Sequence, residues 1–317
     1  MTSPLARLGH VALVTPDLEQ SLEFFDRVVG LEVVERSKTE AYLRAWGDFE
    51  HHTLALLAGD RGVVDHVGWR TRSPEDVDGL AAALTERGVA VTRVPAGTER
   101  GQGDAIRFHT PGGLPYEIYY DVEKRPADPA RPPAMKTNSG RVWDHGISPR
   151  RVDHVNFVLP DVAAEQQWSE STFGFKTREY VRLDDGMIHA AWLSVTALAH
   201  DLALGRGPNP GDVGFHHVAY YLDNASDVLR AAEIYAEHGI QPDHGPGRHA
   251  ISQAVCIYAR DPGSGHRLEL YSGSYLVLDP DWEPVEWTSA DYRQWWGAEP
   301  RRAEGSPIDV ITEVAAR

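Results

Sequence analysis

The sequence predicts an α+β protein built from four βαβββ modules, arranged as two tandem domains of two modules each. The main observation is a strand opening that occurs four times and carries a histidine each time. Those histidines are His10, His66, His154 and His217. A second observation is that the first module resembles the third and the second resembles the fourth. Because internal repeats define the architecture of a chain, we expect a duplicated pair of modules.

The first and third modules correspond in length and in their helix boundaries. The same number of residues separates His10 from Gly30 and His154 from Gly174. Asp17 is a suitable N-cap for the helix that follows the first strand, and Gly30 is a suitable C-cap. We therefore predict a strand, a helix and further strands in each of these modules.

The second and fourth modules correspond in two later stretches. Residues 80–88 match residues 229–239, and residues 111–117 match residues 262–269. The chain is therefore interpreted as a tandem duplication of a half that contains two different modules.

These repeats and the composition between them predict the domain boundaries. Residues 1–121 form an N-terminal domain, which we expect to be free of metal, and residues 151–273 form the catalytic domain. Residues 122–150 are rich in proline and basic residues and are predicted to be a linker. The tryptophan-rich tail, residues 274–317, is predicted to pack over the catalytic domain.

Composition excludes several classes of function. A formal charge of −16 disfavours nucleic acid as a partner, since phosphate binding needs clustered basic side chains. No apolar run approaches the roughly 18 residues needed to cross a bilayer, so no membrane partner is expected. The single cysteine, Cys256, excludes an intrachain disulfide and fits a reducing compartment. We expect a cytoplasmic protein.

The candidate metal site combines His154, His217 and Glu269. Two imidazoles and one carboxylate on one face of an ion leave positions open, which is typical of non-haem Fe(II) oxygen chemistry. Zinc would more often take three protein ligands and a water in a tetrahedral site. The N-terminal half has the same residue types at His10, His66 and Glu117. The ligand positions alone therefore do not say which half is active.

The residues around the triad favour the C-terminal half. His249 and Tyr258 are suited to hydrogen-bond a substrate or the metal ligands. The corresponding region of the N-terminal half has no such histidine, and Arg107 lies near the position that corresponds to Tyr258. The pairs that differ between the halves in the third and first modules are Asn156 with Ala12, and Trp192 with Ala45 or Trp46. His200 has a counterpart in the N-terminal half, His52, so it is weaker evidence for which half is active than the other residues around the triad.

The same stretches resemble the extradiol ring-cleaving dioxygenases of the vicinal oxygen chelate superfamily. The resemblance is to the homoprotocatechuate (3,4-dihydroxyphenylacetate) 2,3-dioxygenases and catechol 2,3-dioxygenases. It covers the chain up to the tryptophan-rich tail, and one further motif lies within that tail. The motifs that carry it are 42–44 with 51–52, 153–156, 190–192, 200–201, 245–249 with Tyr258, 261–263 with Glu269, and 295–297. It implies the vicinal oxygen chelate (glyoxalase-dioxygenase) fold and meta cleavage of a catechol by O2 to a muconic semialdehyde, in aromatic catabolism.

The resemblance also implies roles for individual residues. His154, His217 and Glu269 would hold Fe(II), or Mn(II) as in some relatives. His200 resembles the acid-base residue, while Tyr258 and His249 resemble groups that bind substrate oxygens. A further set resembles pocket positions, namely Asn156 and Trp192. A homo-oligomer, a tetramer in the family, is implied as well.

The sequence departs from the family where arginines are expected to bind the carboxylate of 3,4-dihydroxyphenylacetate. His244 stands in place of one arginine, and Tyr292 with Arg293 in place of two. Arg248 is expected to serve the backbone of its own motif. We therefore expect 3,4-dihydroxyphenylacetate or, equally well, a less acidic or bulkier catechol.

The sequence leaves two alternatives from other classes open. One is a non-catalytic protein that binds a metal or a small molecule with the same paired modules. The other is a glyoxalase-like isomerase or an epimerase, which would use a glutamate base. The set of His200, His249 and Tyr258 favours the dioxygenase over both, because simple binding does not need it and its candidate base is a histidine.

Overall fold

The computed structural model describes residues 3–124, 145–207, 209, 211–292, 294–297 and 312–315. The N-terminal half contains two modules. Their elements are β1 (Leu5–Thr15), α1 (Leu18–Leu22), β2 (Glu32–Arg36), β3 (Glu40–Arg44), β4 (Leu54–Ala58), then β5 (Val63–Thr71), α2 (Pro74–Glu86), β6 (Thr92–Val94), β7 (Ala105–His109) and β8 (Pro115–Tyr119).

The C-terminal half repeats that order. Its elements are β9 (Arg151–Val158), α3 (Val162–Phe173), β10 (Lys176–Arg182), β11 (Ile188–Ser194), β12 (Leu202–Gly205), then β13 (Gly214–Tyr221), α4 (Ala225–Glu237), β14 (His244–His249), β15 (Val255–Arg260) and β16 (Arg267–Ser272). The predicted α+β fold of four βαβββ modules is confirmed.

Each half forms one mixed sheet from both of its modules. In the N-terminal sheet the strand order is β2-β3-β4-β1-β5-β8-β7-β6. The corresponding strands of the C-terminal sheet run β10-β11-β12-β9-β13-β16-β15-β14. The two orders are the same under the duplication. In both sheets the histidine-bearing first strands of the two modules are antiparallel neighbours at the centre.

The first helix is shorter than its apolar spacing predicts. Asp17 caps α1 by accepting a hydrogen bond from the backbone N–H of Gln20 at 3.0 Å. After Leu22 the chain continues as a π-helical turn, Glu23–Val28, which ends before Gly30 at φ 83°. In the third module Gly174 ends α3 with φ 72°, as the shared spacing predicts.

The main hydrophobic core is continuous between the halves. It lies on the helix-covered faces of both sheets and includes Phe24 of the first module and Tyr235 of the fourth, whose rings stack at 6.3 Å. The opposite face of the C-terminal sheet carries a small separate cluster: Ala219, Ala254, Cys256, Tyr258 and Tyr271. This face is the one on which the candidate metal ligands lie.

Polar contacts tie the first module to the fourth and the second to the third. Ser21 donates to Asp261 at 2.5 Å, and the ring of His266 lies 2.9 Å from the carbonyl oxygen of Val14. Across the other pair, the backbone N–H of Gly112 donates to Glu165 at 2.9 Å. The halves therefore pack as a continuous unit.

The tail adds strands to both sheets. Beside β10 runs β17 (Val285–Thr288), beside β14 runs β18 (Gln294–Gly297), and beside β5 runs β19 (Glu313–Val314). Trp287 donates from its indole to Glu179 at 2.7 Å, whereas the side chain of Trp295 is 70% exposed. Residues 125–144 of the predicted linker and 298–311 of the tail lie outside the described residues. Within the described ranges, no helix is both long and apolar enough to cross a membrane.

Candidate metal and catechol site

Strand register brings the three predicted ligands together. In the C-terminal sheet, Ala219 of β13 is paired with His154 of β9 on one side and with Glu269 of β16 on the other. His217 lies two residues before Ala219, so its side chain points to the same face of the sheet. The methyl group of Ala219 leaves the space between the larger side chains open.

The ligand atoms are close and buried. His154 Nε2 lies 3.2 Å from His217 Nε2 and 3.1 Å from Glu269 Oε2, and His217 Nε2 lies 3.0 Å from Glu269 Oε2. For metal–nitrogen bonds of about 2.1 Å, two ligands at right angles are roughly 3.0 Å apart. The three residues are at most 3% exposed. Their arrangement fits one divalent metal ion on an open triangular face.

The carboxyl group of Glu269 is in its charged form, which is the form that binds a metal ion. Burial raises the pKa of Glu269, but the hydrogen bonds from His154 and His217 lower it more, so its pKa lies well below the usual range. A charged carboxylate and two imidazole nitrogens are the donors that Fe(II) and Mn(II) accept.

Asp153 contacts the first candidate ligand, His154, at the ring nitrogen that faces away from the other two candidate ligands. Its Oδ1 lies 3.0 Å from His154 Nδ1, and its other oxygen pairs with Arg151. Burial raises the pKa of Asp153, but Arg151 and His154 lower it further, to about 2. The anion therefore orients the ring so that Nε2 faces the other two candidate ligands, His217 and Glu269. On the second ligand, His217 Nδ1 lies 2.5 Å from Nδ1 of His216.

His200 lies against the ligands on the loop before β12. Its ring centroid is 4.0 Å from that of His154, and the residue is 6% exposed. Burial, followed by the nearby His154, lowers the pKa of His200 well below its usual value. Its Nδ1 has no hydrogen-bond partner within the described part of the chain. The structure thus places a neutral imidazole beside the candidate ligand His154.

Tyr258 and His249 form a pair next to Glu269. The Tyr258 hydroxyl lies 2.9 Å from His249 Nε2, and Tyr258 is opposite Glu269 in the register of β15 and β16. Cys256 completes the pair from the side, with its Sγ 3.1 Å from His249 Nε2. Arg267 stacks over the Tyr258 ring at 4.3 Å. No motif or repeat in the sequence predicts the contacts of Cys256 and Arg267.

The pocket positions of the third module lie on the strands beside the ligands. Asn156 is opposite His217 in the register, and its buried Oδ1 has no partner among the described residues. Trp192 pairs with Ala203 of β12. In the N-terminal sheet the counterpart of Ala203 is Ala55, which pairs with Tyr42. Tyr42 is therefore the counterpart of Trp192, and the expected match with Ala45 or Trp46 was wrong. The strands that precede β3 and β11 differ in length, so the sequence alone did not show this correspondence.

The remaining predicted pocket residues lie farther from the triad. The His244 ring centroid is 5.3 Å from that of Tyr258, and Tyr292 contacts His189 at 5.9 Å. Arg248 donates to the backbone carbonyl of Gln253 at 2.8 Å, which is the local role expected for it. Arg293 lies outside the described residues.

The N-terminal half contains a second histidine and carboxylate cluster. It consists of His10, His66 and Glu117, as the repeat predicts, and of Glu99, which sequence reasoning missed. Glu99 comes from the loop before β7, so no repeat position pointed to it. His52 lies against this cluster as His200 does against the other, with its Nε2 2.7 Å from a Glu99 oxygen.

Comparison with known proteins identifies the family. Residues 151–270 match the model of the Glyoxalase/Bleomycin resistance protein/Dioxygenase superfamily, and residues 64–123 match the Catechol 2,3-dioxygenase-like N-terminal domain. The chain is 50% identical to the manganese-dependent 2,3-dihydroxybiphenyl 1,2-dioxygenase of Geobacillus genomosp. 3, over 99% of this chain and 100% of that protein. The chain belongs to the extradiol dioxygenases of this superfamily.

Further relatives of this dioxygenase agree. Metapyrocatechase of Geobacillus stearothermophilus is 34% identical over 90% of this chain and 87% of that protein. The crystal structure of homoprotocatechuate 2,3-dioxygenase from Arthrobacter globiformis superposes with a TM-score of 0.87 at 30% identity, covering 100% of this chain and 94% of that one. The predicted family, fold and enzyme class are confirmed: the chain is a metal-dependent dioxygenase that acts on a catechol-type substrate with O2. The binding-protein and isomerase alternatives are not favoured.

Proposed function

We propose that His154, His217 and Glu269 hold the catalytic metal of this extradiol dioxygenase. The observation that carries the proposal is the close approach of their three ligand atoms, within 3.2 Å of one another, beside the set formed by His200, Tyr258 and His249. The reaction assigned to the site is opening of a catechol ring beside the diol to give a muconic semialdehyde.

The metal is proposed to be Mn(II) or Fe(II), since both accept imidazole and carboxylate donors. The manganese dependence stated for the relative from Geobacillus genomosp. 3 supports Mn(II) for this chain. When bound, the metal supplies open positions for the catechol oxygens and O2 and a path for electrons from the ring to oxygen.

The residues around the metal position are proposed to manage protons and orientation. His200 presents a neutral imidazole 4.0 Å from the His154 ring, so it can accept a proton from a catechol hydroxyl. The Tyr258 hydroxyl, held by His249 at 2.9 Å, can donate to a substrate oxygen on the opposite side. Asn156 has a buried amide oxygen available to the same space.

The substrate is proposed to be an uncharged, substituted catechol. A carboxylate substituent is best bound by the forked guanidinium of arginine. The His244 ring instead lies beside Tyr258, and the Tyr292 ring packs against His189. These surfaces suit an aryl or alkyl substituent, and an aryl group is present in the dihydroxybiphenyl of the relative's name.

We also propose that the enzyme is a cytoplasmic homo-oligomer, a tetramer as the family resemblance implies. Trp295 and Trp296 on β18 are 70% and 48% exposed, and such apolar surface is often buried between subunits. The buried thiol of Cys256 is free, which fits a reducing compartment. Light scattering of the purified enzyme measures the oligomeric state, and a monomer would contradict this part of the proposal.

The test of the function is a panel of catechols offered under air. The apoprotein is loaded anaerobically with Mn(II) or Fe(II) and given 2,3-dihydroxybiphenyl, catechol or 3,4-dihydroxyphenylacetate. We expect yellow ring-fission product, formed fastest with an uncharged substrate. Bound metal without colour from any catechol would refute the assigned reaction. A preference for the carboxylate would refute only the substrate assignment.

A further inference from the structure

The cluster in the N-terminal half has a ligand geometry like that of the catalytic triad. His10 Nε2 lies 3.0 Å from His66 Nε2. Two oxygens of Glu99 lie 3.1 Å from these nitrogens, one from each. The nearest Glu117 oxygen lies 3.6 Å from His10 and 3.7 Å from His66.

These separations fit ligands of one ion. With metal–ligand bonds of about 2.1 Å, neighbouring donors are roughly 3.0 Å apart in an octahedral arrangement and roughly 3.4 Å apart in a tetrahedral one. The four residues are between 0% and 6% exposed, so bulk water does not reach them. Two buried imidazoles that face each other through Nε2 are well explained by a shared cation.

The chain makes room for this cluster. Gly68 is the counterpart of Ala219, because it pairs with His10 on one side and with Glu117 on the other. A Cβ at Gly68 would lie only 2.1 Å from the His10 ring. Glycine therefore lets the His10 ring lie directly over the backbone of β5.

The second cluster differs from the catalytic one in having a fourth candidate ligand. Glu99 adds a second carboxylate, whereas the catalytic group found among the described residues consists of His154, His217 and Glu269. Arg107 stands opposite Glu117 where Tyr258 stands opposite Glu269, and it donates to Glu117 at 2.5 Å and to Glu99 at 3.1 Å. Gln102 donates to the other Glu117 oxygen at 2.5 Å. Four protein ligands with hydrogen-bonded carboxylates are typical of structural metal sites.

We propose that the N-terminal half holds a second divalent transition-metal ion through His10, His66, Glu99 and Glu117. The sequence predicts that this half is free of metal, and Glu99 is the observation that changes the expectation. Imidazole donors favour Mn(II), Fe(II) or Zn(II) over Mg(II) or Ca(II). The ion has a structural role, and the ring-opening reaction belongs to the other half.

The test counts metal in the full-length protein with matched variants. Apoprotein is loaded with Mn(II), desalted and analysed for manganese per chain. We expect about two ions in the wild type. Glu99→Gln, an isosteric change on a loop, should lose one ion and keep ring cleavage. Glu269→Gln should also lose one ion, but with it the ring cleavage.

Anomalous scattering at the manganese edge supplies a readout that does not depend on activity. Two peaks per chain are expected in crystals of the loaded wild type, one between His10 and His66 and the other between His154 and His217. A single peak per chain, with a manganese content that Glu99→Gln does not change, would overturn the proposal. Arg107 would then be the cation that neutralises the cluster. Failure of this proposal leaves the catalytic assignment intact, because the two tests use different residues.

Discussion

Replacement of Asp153 by asparagine tests how the protein orients His154, the first proposed metal ligand. The carboxylate accepts from His154 Nδ1 at 3.0 Å and is ionised, since its pKa is lowered to about 2, burial being outweighed by Arg151 and His154. Asp153→Asn keeps the shape but removes the charge. Loss of such an outer hydrogen bond typically weakens metal binding about 10- to 100-fold, or about 1.4 to 2.7 kcal/mol.

The assay is a competition for Mn(II) with a chelator of known affinity, followed by ring-cleavage rates at saturating metal. We expect the apparent dissociation constant of the catalytic ion to rise by that factor and activity at limiting metal to fall with it. Arg151 is not left stranded in the variant, because its guanidinium also stacks on Tyr221 at 4.5 Å. Thermal melting of the apoprotein checks that the fold survives.

The N-terminal half offers a matched control for this experiment. Asp65 lies 2.7 Å from His66 Nδ1, in the same relation as Asp153 to His154. Asp65→Asn should leave the metal dependence of ring cleavage unchanged. An unchanged metal dependence of ring cleavage in Asp153→Asn, or an equal loss of ring cleavage at limiting metal in both variants, would refute the reasoning that Asp153 acts through the proposed catalytic ligand.

Three further substitutions test the roles assigned around the metal. His200→Phe should keep metal and catechol binding but lower kcat about 10²- to 10⁴-fold, which is the range for loss of a general base. Wild-type turnover without altered intermediates in stopped-flow spectra would show that the role is misassigned. Tyr258→Phe removes one hydrogen bond to a charged oxygen, which is worth about 1.5 to 3 kcal/mol, so kcat should fall about 10- to 150-fold with little change in KM. An effect confined to KM would contradict the role proposed for the Tyr258 hydroxyl. His244→Arg should raise kcat/KM for 3,4-dihydroxyphenylacetate relative to 2,3-dihydroxybiphenyl by about tenfold, and an unchanged ratio would place His244 outside the pocket.

Much of the fold could be predicted because the four modules repeat one pattern of residues. Each first strand carries its histidine at the same point, and equal spacing from His10 to Gly30 and from His154 to Gly174 fixes strand and helix together. Once the strands pair, β-sheet register alone sets which side chains share a face. The repeat therefore predicts both sets of histidines and their carboxylates from the sequence alone.

What the sequence could not predict depends on contacts without periodicity. Glu99 enters the N-terminal cluster from a loop, whose path no apolar pattern specifies. Tyr42 rather than Ala45 or Trp46 is the counterpart of Trp192, because the strands before it differ in length and only hydrogen-bonded pairing shows the register. The approach of Cys256 to His249 depends on the neighbouring positions of β14 and β15.

The central claim is that ring cleavage belongs to the C-terminal cluster although both halves carry the same kinds of ligand. The most direct measurement compares His217→Ala with His66→Ala, each loaded with Mn(II) and assayed for the yellow ring-fission product of 2,3-dihydroxybiphenyl. We predict that His217→Ala forms no product, whereas folded His66→Ala turns over at a rate near that of the wild type. Product formation by His217→Ala, together with its loss in His66→Ala, would contradict the claim.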